Sequence, residues 1–248
     1  MKTDTDTSAI AQTFDEHALG LLGAFGDSSH PSSVYSHRGP MTQITIPGNN
    51  TAYGLAFGGH LFLQDRDNDA VVMDQGEYFS FPFENSLKVT GSANAMIAVR
   101  HGYTGLNSRG GPPEQTGRLK YIDGCSDTLL IGPPLKGDPC FNLLKFPADI
   151  DQTMHTHPTI RAGMILDGEG ICRTPVGDLP LIAGNIFMLH PDAEHAFSTK
   201  GTDGMRLTVF HPDTDTGPSH DDHPMLNRTI VDGVSASQID EIKTKEIT

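Results

Sequence analysis

From residue 43 onward, short apolar runs alternate with segments rich in glycine and proline, which is the pattern of a strand-rich chain. Runs at 118–122, 128–131 and 140–146 each have the length of one strand, and so does the apolar run that follows Gly184. The 27 glycines and 17 prolines of the sequence supply the turns that such a fold requires. We therefore predict an all-β chain with a few short helices.

The two ends of the chain depart from this pattern. Residues 1–13 are polar and predict a frayed end. Residues 14–25 predict a short helix that buries Leu19, Leu21, Leu22 and Phe25.

The tail from residue 212 is rich in Asp, Pro and His. Residues 235–243 predict a second short helix, with Ser237 as its N-cap and an acidic first turn. His220 and His223 also lie in this tail, and we interpret them as solvent-exposed polar residues rather than as a metal site.

The sequence repeats weakly with an offset of about 110 residues. This offset places Gly54 on Gly163, and it also aligns Gly59 with Gly168. Between the copies, residues 106–117 combine glycine and proline with few apolar side chains, which is linker composition. We predict two tandem β units, at 1–105 and 118–248, joined by the linker 106–117.

Three histidines in the second unit have the spacing of a metal site. If residues 152–158 form a strand, His155 and His157 point to one face, because side chains alternate along a strand. His195 follows the apolar run after Gly184, so a neighbouring strand can bring a third imidazole to the same place. Three neutral imidazoles suit zinc, iron, nickel or copper.

These residues resemble the two sequence motifs of the cupin superfamily. The first motif has the form His-x-His-x3-Glu-x6-Gly, and it matches His155, His157 and Gly168, with Arg161 in place of the glutamate ligand. The second motif matches at Gly184 and His195, while three of its other positions are replaced by His190, Asp192 and Thr199. The resemblance therefore implies two cupin-type jelly-roll barrels and a metal site that keeps three histidines.

The first copy lacks this chemistry. Ile46, Gly48 and Leu87 stand at the positions of the three histidines, and Ala52 stands at that of Arg161. The interpretation is a bicupin whose N-terminal barrel is structural and whose C-terminal barrel holds the site.

Among cupins, three-histidine ferrous sites are similar to those of dioxygenases that act on thiols, diketones or aromatic hydroxy-acids. The resemblance implies one divalent metal, Fe(II) in the favoured interpretation, an anionic substrate that binds it and dioxygen as co-substrate. Two alternatives stay open. A Zn, Mn or Ni ion can act as a Lewis acid in an isomerase, lyase or hydrolase, or the chain can bind a small ligand without catalysis.

Three further residues are candidates for the site. Arg161 shares parity with His155 and His157, and there it can bind a substrate carboxylate through its guanidinium. In the other interpretation Arg161 pairs with an acid at the barrel mouth. His190 and His211 are candidates for a proton-transfer group or for a contact to the ligands.

Charge and composition exclude other partners. The net charge of −14, without any Lys/Arg cluster, argues against nucleic acid and against an anionic membrane. Cys125, Cys140 and Cys172 have no metal-site spacing and predict reduced thiols in a cytoplasmic protein. The exposed strand edges of β barrels commonly pair into dimers, so a homodimer is one of the oligomeric states that the sequence leaves open.

Overall fold

The computed structural model describes residues 10–26, 28–66 and 68–245, and these form antiparallel sheets with very little helix. The strands of the described chain, in order, are β1 (Ala11–Phe14), β2 (Gly20–Phe25), β3 (Ser32–His37), β4 (Met41–Leu55), β5 (Leu61–Asp65), β6 (Val71–Met73), β7 (Tyr78–Gly91), β8 (Ala95–His101), β9 (Ser108–Gly110), β10 (Leu119–Lys120), β11 (Ser126–Ile131), β12 (Cys140–Phe146), β13 (Arg161–Thr174), β14 (Gly177–Ile182), β15 (Ile186–Leu189), β16 (Ala196–Ser198), β17 (Met205–His211), β18 (Ile230–Val231) and β19 (Val234–Ser235). Helix α1 (Pro224–Arg228) and two 3-10 turns, Ala236–Gln238 and Asp240–Ile242, follow in the tail. The prediction of an all-β chain with short helices is confirmed.

The strands form two large sheets and one small hairpin, and every pairing is antiparallel. The first sheet has the order β2-β3-β8-β4-β7-β5-β6, with β9 added on β7. The second has the order β1-β15-β13-β17-β12-β11-β10, with β14 and β16 added on β13. The order β2-β3-β8-β4-β7 in the first sheet therefore recurs as β11-β12-β17-β13-β15 in the second.

Each sheet has its own apolar core, and a third cluster joins the two sheets. Strand β13 shows how alternation divides its side chains: Ile165 packs in the core of the second sheet, while Ala162 and Met164 pack in the joint cluster. That cluster also receives Tyr53 and Met96 from the first sheet. The side chains of Arg161 and Ile165 consequently lie on the core face of the second sheet.

Strand β1 belongs to the second sheet although it begins the described chain. Ala11 pairs with Leu189 on β15 and is buried in the core of the second sheet. The predicted frayed end therefore becomes a strand at its last residues, whereas residues 1–9 lie outside the described chain. The linker segment 106–117 likewise contains β9, which pairs with β7. The division into 1–105, 106–117 and 118–248 stays a prediction.

The helix predicted at 14–25 is wrong, because this segment ends one strand and forms another. Gly20 has φ +72°, a left-handed conformation that ends regular structure and suits glycine. From there β2 pairs with β3, and Leu21 points to solvent with 56% of its surface exposed. Leu22 and Phe25 pack against the joint cluster instead.

Two further local predictions need correction. Residues 152–158 do not form a regular strand, because their backbone joins the segment 195–199 through separate bonds rather than through one ladder. In the tail, the helix predicted at 235–243 is two 3-10 turns, and Ser235 rather than Ser237 accepts the capping hydrogen bond. Within the described residues, no helix has the length and the apolar character that crossing a lipid bilayer requires.

Candidate metal centre

The backbone holds His155 and His195 side by side. The His155 N–H donates to the His195 carbonyl at 3.0 Å, and the His195 N–H donates to the His155 carbonyl at the same distance. Gln152 makes a second pair of bonds nearby: its N–H donates to the Phe197 carbonyl at 3.0 Å, and its side-chain Oε1 accepts from the Phe197 N–H at 3.1 Å. These bonds fix the two histidine segments to each other without a continuous strand.

The three predicted histidines meet at one point. One ring nitrogen from each of His155, His157 and His195 lies within 4.8 Å of those of the other two, which leaves room for a single ion between them. His155 Nδ1 donates to the Thr153 carbonyl at 2.8 Å, and His195 Nδ1 donates to the Ala193 carbonyl at 2.8 Å. Because these bonds hold the proton on Nδ1, they leave Nε2 of both rings with its lone pair free for a metal.

The surroundings keep two of these rings neutral. Burial, the positive charge of Arg161 and the neighbouring rings lower the pKa of His157 to about 3. Burial is also the main cause that lowers the pKa of His195 to about 4, and the bond to Ala193 opposes that shift. Neutral imidazole is the form that binds a metal. The donor set therefore fits a divalent ion of the kind that three imidazoles prefer.

The histidines open into a small cavity inside the second unit, with a volume of about 60 Å³. By the same measure one water molecule needs about 10–15 Å³. The cavity can therefore hold the reactive part of a small ligand. Its walls combine apolar side chains with polar groups: Tyr121, Asp127, Leu144, Gln152, Arg161, Phe187, Leu189, Phe197, Val209 and His211 join the three histidines.

Arg161 lies on this cavity wall with only 8% of its surface exposed. Its Nη1 donates to Thr159 Oγ1 at 2.7 Å and to the Ile160 carbonyl at 2.9 Å. Thr159 Oγ1 in turn donates to Asp213 Oδ1 at 2.5 Å. Arg161 Nε is buried and has no hydrogen-bond partner among the described residues. One side of the guanidinium is thus fixed by the protein, while the Nε donor stays unpaired among the described residues.

The other predicted candidates fall in different places. His211 lines the cavity, and burial, Arg161 and His157 together place its pKa well below the ordinary value. His190 does not line the cavity: its ring packs edge-on against Phe25, with the centroids 5.4 Å apart. His220 is exposed, and His223 Nδ1 accepts the Leu226 N–H at the start of α1.

Three further polar residues line the cavity, and the sequence patterns indicate neither Asp127 nor Gln152 among them. Asp127 and Tyr121 come from β11 and the turn before it, and Gln152 comes from the segment that carries the histidines. Burial raises the pKa of Asp127, and the hydrogen bond from Asn142 opposes this shift. Asp127 lies opposite Leu144 on the neighbouring strand, and both line the cavity. The alternation of side chains along β11 is the one sequence signal that could have indicated Asp127.

At the matching positions of the first copy, the described side chains are apolar. Ala52 and Leu87 are fully buried in its apolar core, and Ile46 packs against that core. Side chains of this kind offer no metal ligand.

Comparisons with solved structures agree with the fold. The chain is similar to a putative glyoxylate-induced protein from Pseudomonas aeruginosa, with a TM-score of 0.60 and 14% identity over 88% of this chain and 94% of that chain. It is also similar to protein Ylba from E. coli, with a TM-score of 0.56 and 14% identity over 85% and 93% of the two chains. A salicylate 1,2-dioxygenase from Pseudaminobacter salicylatoxidans gives a TM-score of 0.53 and 11% identity over 82% and 84%.

These likenesses and the antiparallel sheets confirm the predicted all-β fold class of the cupin jelly-roll type, while the division into two separate barrels stays a prediction. At such low identity the likeness shows the fold alone. No family model matches the sequence, and no curated protein matches it significantly.

Proposed function

We propose that this chain is a metal-dependent bicupin enzyme, a non-haem Fe(II) dioxygenase that acts on a small substrate bearing a carboxylate. The observation that carries this proposal is the meeting of three imidazoles and one partly unpaired guanidinium in a single cavity. The ligand roles of His155, His157 and His195, and the substrate-binding role of Arg161, are part of the proposal. Salicylate 1,2-dioxygenase, a structure neighbour named for such an activity, gives the proposal indirect support.

A ferrous ion, when bound by the three histidines, supplies the capacity to bind and activate dioxygen. The chain itself provides the surroundings for that chemistry. Because all three ligands are neutral, the site keeps the full charge of the ion and favours an anionic substrate. Arg161 adds a further positive charge beside His157, which is close enough to lower the pKa of that ring.

Arg161 is built to bind an oxyanion. The bonds from Nη1 to Thr159 and Ile160 orient the guanidinium before any ligand arrives, so little rotamer freedom remains to be lost. Its buried Nε can then donate to a carboxylate, and such a charge-assisted bond is stronger than a neutral one. Phe187, Leu189 and Val209 on the same wall exclude water from the bound acid group.

A second candidate function is Lewis-acid catalysis with Zn, Mn or Ni. It is favoured by the two titratable groups, Asp127 and His211, that share the cavity with the histidines. An isomerase, lyase or hydrolase needs such a group to move a proton to or from its substrate. The dioxygenase does not need Asp127 or His211 to move a proton. The two functions therefore differ in whether catalysis depends on these residues.

The experiment is anaerobic reconstitution with Fe(II), followed by measurement of oxygen uptake with a panel of small carboxylic acids. The proposal predicts uptake that depends on substrate and on Fe(II), and that is absent for His195→Ala carried through the same procedure. If oxygen is not consumed while the Zn-, Mn- or Ni-loaded protein transforms a carbonyl substrate, the Lewis-acid function replaces the dioxygenase. Binding without turnover under either metal would leave a non-catalytic binder.

A further inference from the structure

A carboxylate without a cation lies on the wall of the histidine cavity. Asp127, on β11, lines the cavity and is half-buried. Its Oδ2 accepts a hydrogen bond from Asn142 Nδ2 at 2.7 Å. No lysine, arginine or histidine of the described chain lies within ion-pair distance of it. Burying an ionised carboxylate is costly unless a partner offsets the lost hydration.

The guanidinium in the same cavity does not fill that role. Arg161 binds Thr159 and Ile160 through Nη1, and the acid that acts on it most strongly is Asp213. The cavity thus presents one cation and one anion that leave each other unpaired. A ligand can be bound at both charges only if it carries an acid group and a cationic group.

Asn142, beside Asp127, also has an acceptor atom without a donor. It has only 8% of its surface exposed, and its Oδ1 is buried without a hydrogen-bond partner among the described residues. Asp127 and Asn142 together therefore hold several acceptor sites but only the donors that Asn142 itself supplies. Asn142 does not line the cavity, so a ligand there meets the Asp127 carboxylate, to which a primary ammonium can offer up to three N–H donors.

We propose that Asp127 is a second substrate anchor, which binds the protonated amine of a substrate whose carboxylate is bound by Arg161. The substrate class is then the small amino carboxylates. This inference rests on the proposed function, because it takes the histidine cavity as the substrate site and Arg161 as the carboxylate anchor. It narrows the proposed substrate class, because the substrate must carry an ammonium group as well as a carboxylate.

The charges favour an ammonium over a hydroxyl as the occupant. A hydroxyl supplies one donor and no charge, so the half-buried carboxylate would keep most of its desolvation cost. An ammonium forms a charge-assisted bond and neutralises the carboxylate. Burial raises the pKa of Asp127, which agrees with a carboxylate that lacks a cationic partner in the free protein.

The test compares matched pairs of ligands, an ω-amino carboxylate and the plain carboxylate of the same chain length, from two to six carbons. Glycine is paired with acetate, β-alanine with propionate, and so on. Binding to the Zn(II)-loaded protein is measured by calorimetry, which avoids oxygen chemistry. At the length that spans Arg161 and Asp127, we expect the amino member to bind about 10-fold or more tightly than its partner.

Asp127→Asn is the informative variant, because its amide oxygen can still accept the bond from Asn142 while its charge is lost. We expect it to bring the affinity ratio of each pair close to one, mainly through weaker binding of the amino member. Asp203→Asn is the matched control: Asp203 is exposed and does not line the cavity, so the ratio should stay as in the wild type.

The outcomes separate this inference from the function on which it rests. A wild-type ratio near one at every length, with plain carboxylates bound in a manner that requires Arg161, overturns the amine anchor alone. A preference for amines that Asp127→Asn retains overturns it as well. If no member of any pair binds, the carboxylate substrate class falls together with it. The wild-type ratio is decisive even if the variant does not fold.

Discussion

His155 and His195 exchange two backbone hydrogen bonds of 3.0 Å, and their ring centroids lie 4.6 Å apart. The two rings are consequently placed by main-chain contacts between segments that are distant in the sequence. His157 completes the group, with centroid distances of 5.0 Å to His155 and 5.2 Å to His195. Because backbone bonds set this geometry, replacing a ring should remove a ligand without moving its neighbours.

The first prediction follows from that placement. Each of His155→Ala, His157→Ala and His195→Ala should weaken binding of Fe(II) or Zn(II) by about 100-fold or more, because two imidazoles hold an ion far less firmly than three. Competition titration against a chelator of known affinity measures the loss. His220→Ala is the control, since His220 lies in the exposed tail, and it should bind metal as the wild type does. Equal affinity in all four variants would disprove the site.

The second prediction concerns Arg161. Arg161→Gln should weaken the binding of small carboxylates by about 10- to 100-fold, the range expected for a lost charge-assisted bond, while metal content stays at the wild-type level. The carboxylate affinity of Arg161→Lys should lie between those of the wild type and Arg161→Gln, because lysine keeps the charge but not the planar set of donors. Calorimetry on the Zn(II)-loaded proteins measures both. Unchanged carboxylate affinity in Arg161→Gln would leave Arg161 with a structural role only.

The third prediction is a loss of stability of the metal-free protein in mild acid. The folded pKa values of His157 and His195 are about 3 and about 4, against an ordinary value of 6.5. Below pH 6.5 the unfolded chain therefore binds protons that the folded chain does not, so the free energy of unfolding falls as the pH decreases toward 4. Urea midpoints at a series of pH values measure this fall.

The matched variant for this experiment is His157→Gln combined with His195→Gln. It should lose less stability than the wild type over the same pH range, because glutamine does not titrate. Identical pH profiles for the two proteins would contradict the assigned pKa shifts. The comparison removes the contribution of carboxylates, which is common to both.

The fourth prediction tests the strand that carries Arg161. A Cβ at Gly163 would overlap the Thr208 carbonyl oxygen and lie 2.5 Å from the ring of Phe187. Gly163→Ala should therefore lower the free energy of unfolding by about 3 kcal/mol, within the range for overpacking a rigid site. Gly39→Ala is the control, because a Cβ there meets no heavy atom within 4 Å. Equal urea midpoints for the two variants would show that β13 and β17 can separate.

Local patterns in the sequence predicted the parts of the site that depend on spacing. The apolar run at 140–146 is β12 with the same bounds, and Arg161 lines the cavity with the histidines as predicted. The strand expected around His155 did not form, yet the histidines meet, because paired backbone bonds to the segment of His195 replace a ladder.

The remaining features depend on contacts between distant segments, which no local pattern encodes. Asp127 reaches the cavity only because β11 pairs with β12, and its own neighbours in the sequence do not indicate a site. Residues 11–14 form a strand because β15 offers an edge far along the chain. The apolar set at 14–25 resembles a helix pattern, because a strand with a bulge between Leu21 and Gly23 also departs from strict alternation.

The most direct test of the central claim is X-ray absorption on the protein loaded anaerobically with one equivalent of Fe(II). We predict a scattering pattern with three imidazole ligands per iron, together with loss of bound iron when His155, His157 and His195 are all changed to alanine. An iron environment made of oxygen ligands alone, or full iron content in the triple variant, would contradict the account.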